Sequence, residues 1–190
     1  DWAGLQSRLG SVLYRLDKMD TESDHLKAAV TAYHSALKVF SRSEAPLRWS
    51  EVKNGLGQAL QVWGDITRNP ELLKHAVQSC QEALQVRSKE LTPLLWAASQ
   101  NNLGSALFML GKLSKDSEHL EGSAEAFGKA LEVYQTVGAA RLAKVAERNM
   151  SKVEEMLRAR VARRVAEVYW ETDSEPSSND FEATENTTRH

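Results

Sequence analysis

The residues best suited to chemistry in this sequence are asparagines that recur at a fixed spacing. Asn54 and Asn101 are 47 residues apart, and the same spacing leads to Ser7 on one side and to Arg148 on the other. An asparagine side chain carries both a hydrogen-bond donor and an acceptor, so a row of them can hold the backbone of an extended peptide without reading its sequence. The chemistry that this pattern predicts is binding.

No group of residues in the sequence has the composition of a catalytic or metal site. The single cysteine is Cys80, and the histidines His25, His34, His75 and His119 do not pair at metal-ligand spacing. The sequence also lacks a phosphate-cradling loop, a cofactor fingerprint and a cluster of nucleophile, base and orienting residue. We therefore expect a protein that is not an enzyme and that uses neither a cofactor nor a metal.

The 47-residue spacing extends over most of the chain and defines three copies of one unit. The residues that share it include Trp2, Trp49 and Trp96, and the pairs Leu9-Gly10, Leu56-Gly57 and Leu103-Gly104. A fixed period of this size is typical of stacked supersecondary units, which bury a continuous core only together. The sequence predicts repeats over about residues 2–48, 49–95 and 96–139, followed by a degenerate capping helix over 140–170.

Each unit is expected to be a hairpin of two helices, because its apolar residues follow a spacing of three to four. In the second unit we expect Gly64 to end the first helix and Asn69 to cap the next, which begins at Pro70. The equivalent caps in the other units are Asp116 and either Thr21 or Ser23. The predicted helices cover residues 2–16, 22–42, 48–63, 70–90, 95–111 and 117–136, with Pro46 and Pro93 lying between hairpins.

The three units also share small residues at fixed offsets. In the second unit these offsets hold Leu56, Gly57, Leu60, Ala76, Cys80, Ala83 and Pro93, and the other units match them closely. This pattern resembles the tetratricopeptide repeat, in a long-unit variant similar to the repeats of kinesin light chains. The resemblance implies an all-α fold, a right-handed superhelical solenoid of antiparallel helix pairs. HEAT and armadillo repeats, which have a similar unit length, are the structural alternative.

In the tetratricopeptide family the first helices line a concave groove, and the residue three positions before the glycine points into it. The resemblance therefore implies a row of groove-facing side chains, which we call the inner row. It consists of Ser7, Ser11, Tyr14, Asn54, Gln58, Gln61, Asn101, Ser105, Phe108, Arg148 and Lys152. We expect a protein–protein interaction scaffold that binds an extended peptide or a protein segment along this row.

Other readings of the inner row stay open. Its asparagines could instead bond neighbouring helices or face water, and Asn102 is expected to point toward the adjacent helix. The row does not favour a chaperone-type carboxylate clamp, because its only cations are Arg148 and Lys152 in the irregular last unit.

The last helix carries a second candidate surface. Leu157, Val161, Val165 and Val168 make an apolar stripe, with Trp170 at its end. The stripe either covers the end of the third hairpin or serves as an oligomer or partner surface. In the latter case the chain would be a structural module for self-assembly of a larger parent, through this helix or through end-to-end stacking.

Composition limits the remaining possibilities. The net charge of -2 gives no reason to expect binding to nucleic acid. No apolar run or signal pattern suggests membrane insertion or export, so we expect a cytoplasmic protein.

Residues 171–190 contain six acidic residues and one arginine, and we expect a disordered acidic tail after a folded domain of residues 1–170. Because the chain starts with Asp1 at the beginning of a repeat, we also expect further repeats upstream in its parent.

Overall fold

The computed structural model describes residues 1–17, 24–114 and 117–173, with the backbone alone for Asp17 and for residues 170–173. Within these residues the chain forms seven helices and no strand, which confirms the predicted all-α class. The helices are α1 (Trp2–Asp17), α2 (Asp24–Leu37), α3 (Pro46–Ile66), α4 (Pro70–Leu84), α5 (Pro93–Leu113), α6 (Glu118–Thr136) and α7 (Ala140–Asp173). The expected caps Thr21, Ser23 and Asp116 lie outside the described residues, as does most of the expected tail.

The helices pack as consecutive hairpins. Within hairpins α1 packs on α2, α3 on α4 and α5 on α6, and between hairpins α2 packs on α3 and α4 on α5. The first helices also contact one another, α1 with α3 and α3 with α5, whereas in the described part of the chain no contact joins α2, α4 and α6. The first helices therefore lie together on one side of the array. This compact unit runs from Asp1 to Leu157, and a second unit begins at Arg158 within α7.

The prolines begin helices instead of separating hairpins. Pro46 and Pro93 occupy the first turn of α3 and α5, so both helices start two residues earlier than expected. A proline at the first helical position loses no hydrogen bond, because the amide there has no intrahelical partner, and its fixed φ suits the helix. The predicted start of α4 at Pro70 is confirmed, and Asn69 caps the helix by accepting hydrogen bonds from the backbone amides of Glu71 and Leu72.

Two second helices end earlier than predicted. α2 stops at Leu37 and α4 at Leu84, where the expected ends were 42 and 90. After each end the backbone tightens into turns with i to i−3 hydrogen bonds, such as Val39 to Ala36 and Val86 to Ala83. These turns precede Phe40 and Arg87, whose side chains are buried, so tertiary burial overrides the helical pattern of the local sequence.

Gly64 does not end α3, which continues to Ile66. A Cβ atom at Gly64 would lie 2.8 Å from the Leu73 side chain, so this glycine allows α3 and α4 to approach closely. The chain leaves the helix at Arg68, whose φ is positive at 50°. This turn lets the amide of Asn69 donate to the carbonyl of Gly64 over 2.9 Å.

Candidate peptide-binding face

Four residues of the inner row line one cavity of about 100 Å³. Gln61 comes from α3, Ser105 and Phe108 from α5, and Lys152 from α7, so the cavity spans three first helices. Its remaining walls are Met109, Phe127 and Asn149. The lining combines aromatic and thioether side chains with polar groups, so the cavity can contact both apolar and hydrogen-bonding parts of a ligand.

Asn54 is bonded to the neighbouring first helix. Its Oδ1 accepts a hydrogen bond from Ser99 Oγ over 2.9 Å and another from Asn102 Nδ2 over 3.0 Å. Gln58 Nε2 in turn donates to Asn102 Oδ1 over 3.2 Å. Asn102 therefore points toward α3, as expected. The amide oxygen of Asn54 already has two partners inside the protein, which leaves its Nδ2 as the group available to a ligand.

Asn101 also turns its amide oxygen inward. This Oδ1 atom is buried and has no hydrogen-bond partner among the described residues. The repeat accounts for one of the two donors that Asn54 has, because the position that holds Ser99 beside Asn54 holds Ala146 one period later. The Oδ1 atom of Asn101 is therefore unpaired among the described residues, whereas that of Asn54 accepts a hydrogen bond from the Ser99 hydroxyl.

Replacing Ala146 with serine is expected to raise the free energy of unfolding by about 0.5 to 1.5 kcal/mol, because the new hydroxyl can donate to Asn101 Oδ1. Ala146 is fully buried, so the gain depends on this hydrogen bond offsetting the cost of burying a hydroxyl. Urea unfolding of the wild type, Ala146→Ser, Asn101→Ala and the double variant forms a double-mutant cycle. An equal effect of Ala146→Ser in the Asn101→Ala background would show that no such bond forms.

The rest of the inner row is spread along the array. Ser7 is half-buried on α1, Ser11 Oγ lies 3.2 Å from the Tyr33 hydroxyl, and Tyr14 packs against the core between α2 and α3. Arg148 is exposed on α7 beside Arg141 and Lys144. The structure thus gathers one inner-row residue of the second unit, two of the third and one of the fourth around one cavity, and the others, including all of the first unit, do not line it.

A buried arginine, absent from the sequence-based candidates, supports the Asn54 network. Only 4% of the Arg87 side chain is exposed. Its Nε donates to Ser50 Oγ over 3.3 Å, and its Nη1 donates to Ser99 Oγ over 2.8 Å and to the Leu95 carbonyl over 3.2 Å. Because Ser99 then donates to Asn54, Arg87 connects the interior of the array to the inner row. Burial lowers the pKa of Arg87, with the nearby carboxylate of Glu51 acting in the opposite direction.

The 47-residue spacing could have revealed this network. The positions equivalent to Arg87 hold Phe40 and Tyr134, those equivalent to Ser50 hold Ala3 and Ala97, and those equivalent to Ser99 hold Val52 and Ala146. Phe40 packs with Ala3 and Val52, and Tyr134 packs with Ala97 and Ala146, in two apolar clusters. At the middle junction all three positions change together to hydrogen-bonding residues. We call Arg87, Ser50 and Ser99 the polar junction.

The single cysteine lies in the core of the protein. Cys80 is fully buried, and burial raises the pKa of its thiol to about 12, so the thiolate is not formed at neutral pH. In the described ranges no group of three or more histidine, cysteine, aspartate and glutamate residues could hold a metal ion. Within the same ranges, no helix has both the length and the apolar character needed to cross a membrane.

The predicted stripe on the last helix divides between two environments. Leu157 packs with Leu120, Phe127 and Val153 at the end of the third hairpin. Val161, Val165 and Val168 are 64%, 59% and 53% exposed. The side chain of Trp170 lies outside the described residues. Leu157 thus has the covering role that was one of the two expectations, while the valines have the exposure that an oligomer or partner surface would need.

Comparison of the chain with family models, with curated proteins and with solved structures finds no match.

Proposed function

We propose that this protein is a non-catalytic scaffold of the tetratricopeptide type, a right-handed solenoid that binds an extended peptide or protein segment along its inner row. The observation that carries the proposal is the cavity shared by Gln61, Ser105, Phe108 and Lys152. A surface that merely faces solvent has no need of a pocket built by four separate helices. We also propose that the protein works in the cytoplasm.

The size and charge of the cavity suggest which segment it binds. Its volume of about 100 Å³ is below the roughly 150 Å³ of an apolar cavity that holds benzene, so it fits one aliphatic side chain. Lys152 at its edge, with Arg148 one turn away on α7, favours a carboxylate next to that side chain. Backbone contacts come from Gln61 and from the Nδ2 donors of Asn54 and Asn101, since the oxygens of both asparagines face the protein interior.

Filling the cavity tests this proposal. Peptides are selected on the immobilised wild-type protein from a random displayed library, and their dissociation constants are then measured for Ser105→Leu. The leucine side chain occupies the space meant for the ligand, so we expect affinity to fall by about tenfold to a hundredfold, which corresponds to burial of one aliphatic side chain. Enrichment of an aliphatic residue next to an acidic one is the expected sequence signature.

Thr31 on α2 provides a matched control. Its hydroxyl donates to the carbonyl four residues earlier, as that of Ser105 does, and it is exposed outside both the cavity and the inner row, so Thr31→Leu should leave peptide affinity unchanged. Circular dichroism melts of both variants check that each remains folded. Selected peptides that bind Ser105→Leu as tightly as the wild type, or the absence of any selected peptide, would contradict the proposal.

Self-assembly through the last helix is a second candidate function. It is favoured by the exposure of Val161, Val165 and Val168, which share one face of α7 by their three-to-four spacing.

A further inference from the structure

A second cavity, of about 480 Å³, opens between the second helices α4 and α6, and α5 contributes to its lining. We call it the α4–α6 cavity. Its apolar lining is formed by Val77 of α4 and by Leu107 and Leu110 of α5, and Gly122 of α6 lies beside them. Its described lining residues are all different from those of the inner-row cavity. Its volume falls within the range of about 300 to 1,000 Å³ that is typical of sites for small ligands.

The junction between the first two hairpins shows how the equivalent space is filled. Four lining residues keep their type over one period, namely Lys74, Val77, Leu107 and Glu118, which correspond to Lys27, Val30, Leu60 and Glu71. Leu110 stands where the earlier junction has Trp63, and Trp63 packs against the core cluster that contains Val30 and Leu60. Gly122 stands where the earlier junction has His75. The middle junction therefore keeps much of the lining but lacks the large ring.

Close packing does not require the glycine at position 122. A Cβ atom there would meet Leu107 Cδ1 at 3.4 Å, which is an ordinary van der Waals distance. Gly111 on α5 differs, because a Cβ atom there would lie 2.6 Å from Leu120 Cδ2. A glycine in the interior of a helix is destabilising relative to alanine. The absent side chain of Gly122 therefore serves neither helix packing nor helix stability, and it leaves the α4–α6 cavity open.

We propose that the α4–α6 cavity binds a small aromatic compound without net charge, with a bicyclic ring of the size of indole and a hydrogen-bonding substituent. The ring size follows from Trp63, whose indole packs at the equivalent place. One side chain of a partner protein would not fill the cavity, because Trp63 and Leu72 both pack against the core at the equivalent place. This site is separate from the inner row, so the inference does not depend on the proposed peptide-binding function.

The polar part of the lining indicates the substituent. His119 stands in place of Leu72, so the middle junction has an imidazole where the earlier one has an aliphatic side chain. Gln81 is exposed at the cavity, and its amide can both donate and accept a hydrogen bond. The lining contributes one cation, Lys74, and one anion, Glu118. These opposite charges favour a polar ligand that carries no net charge.

Indole-3-carboxamide serves as the probe, because it joins the bicyclic ring to an uncharged amide. Isothermal titration calorimetry with the full chain should show saturable binding with a dissociation constant of about 1 mM or lower. We expect affinity to fall by about tenfold or more in Gly122→Leu, since the leucine side chain occupies the space of the ring. Nuclear Overhauser effects from the probe to the methyl groups of Val77, Leu107 and Leu110 locate the ring in the wild type without any substitution.

Gly128→Leu is the matched control, because Gly128 also lies within α6, outside the cavity, and a Cβ atom there would be 4.0 Å from Met150 Sδ. It should bind the probe as the wild type does. Both variants should melt at or above the wild-type temperature, because leucine favours a helix more than glycine does. Absence of saturable binding, equal binding by Gly122→Leu and the wild type, or Overhauser effects confined to other methyl groups would overturn the proposal.

N-acetyltryptophanamide distinguishes a free compound from a side chain of a partner protein, because it carries the same ring on a peptide-like backbone. We expect it to bind the wild type more weakly than indole-3-carboxamide does. Tighter binding would assign the α4–α6 cavity to a tryptophan side chain and overturn the assignment to a small compound.

Discussion

Replacing Arg87 with methionine is expected to lower the free energy of unfolding by about 2 to 4 kcal/mol. Methionine keeps most of the buried volume of the arginine but has no hydrogen-bond donor. Arg87 donates three hydrogen bonds, to Ser50, Ser99 and the Leu95 carbonyl, and its side chain is only 4% exposed. The loss leaves buried acceptors without their donor, which costs more than the hydrogen bonds themselves contribute. Equilibrium unfolding in urea measures the change.

The other two junctions of this chain provide the control. The triple variant Ser50→Ala, Arg87→Phe and Ser99→Val copies the apolar set of Ala3, Phe40 and Val52 from the first junction. Replacing a complete buried polar set with apolar residues of similar volume is often neutral or stabilising, whereas removing one member is not. We expect the triple variant to recover most of the loss seen in Arg87→Met and Arg87→Phe. A triple variant less stable than Arg87→Phe would show that the junctions are not interchangeable.

The polar junction also affects the inner row. Ser99 accepts from Arg87 and donates to Asn54, so the triple variant removes one of the two donors to Asn54 Oδ1. Asn102 remains as the other donor. The network therefore couples the middle junction to Asn54, whose Oδ1 it bonds to α5.

The sequence predicted the helical hairpins well because their signals are repeated. Three copies of the Leu-Gly pair in register indicated close-packed helix pairs, and Gly57 indeed lies against Cys80 as Gly10 lies against Tyr33. The predicted cap Asn69 is confirmed for a different reason, since Asn followed by Pro at the first helical position depends on local chemistry alone. The predicted C-terminal ends of α2 and α4 were wrong, because the true ends depend on the burial of Phe40 and Arg87, which is a tertiary effect.

The candidate site was predictable only in part. The resemblance to tetratricopeptide repeats selected Gln61, Ser105, Phe108 and Lys152 among other residues, and the structure brings these four around one cavity. The spacing alone could not tell that the oxygens of Asn54 and Asn101 both face the interior, or that only that of Asn54 has a partner there, because these are tertiary contacts. Arg87 was overlooked because a lone arginine looks like a surface residue until its equivalents Phe40 and Tyr134 are aligned with it.

Alanine substitutions at two glycines are expected to change stability in opposite directions. At Gly57 a Cβ atom would lie 2.7 Å from Cys80 Sγ and 3.2 Å from the backbone carbonyl of Ala76, so Gly57→Ala should destabilise the protein by about 1 to 3 kcal/mol. At Gly128, in the interior of α6, the closest atom would be 4.0 Å away, so Gly128→Ala should stabilise it by about 0.5 to 1 kcal/mol. Urea unfolding of both variants measures the two effects.

Cys80→Ala separates the causes of the loss at Gly57. This substitution removes the sulfur that the new methyl group would meet, while the Ala76 carbonyl stays in place. Gly57→Ala should therefore lower the free energy of unfolding less in the Cys80→Ala background than in the wild type. We expect the two losses to differ by about 1 kcal/mol or more, which is the part due to overpacking against the sulfur. An equal cost in both backgrounds would assign the strain to the Ala76 carbonyl, and the α3–α4 distance would then be set by backbone contact and not by the residue at position 80. At the equivalent glycines of the first and third hairpins, the closest contacts of a Cβ atom would be with the rings of Tyr33 at 2.9 Å and Phe127 at 3.0 Å, so the residue at this position is the contact in all three hairpins.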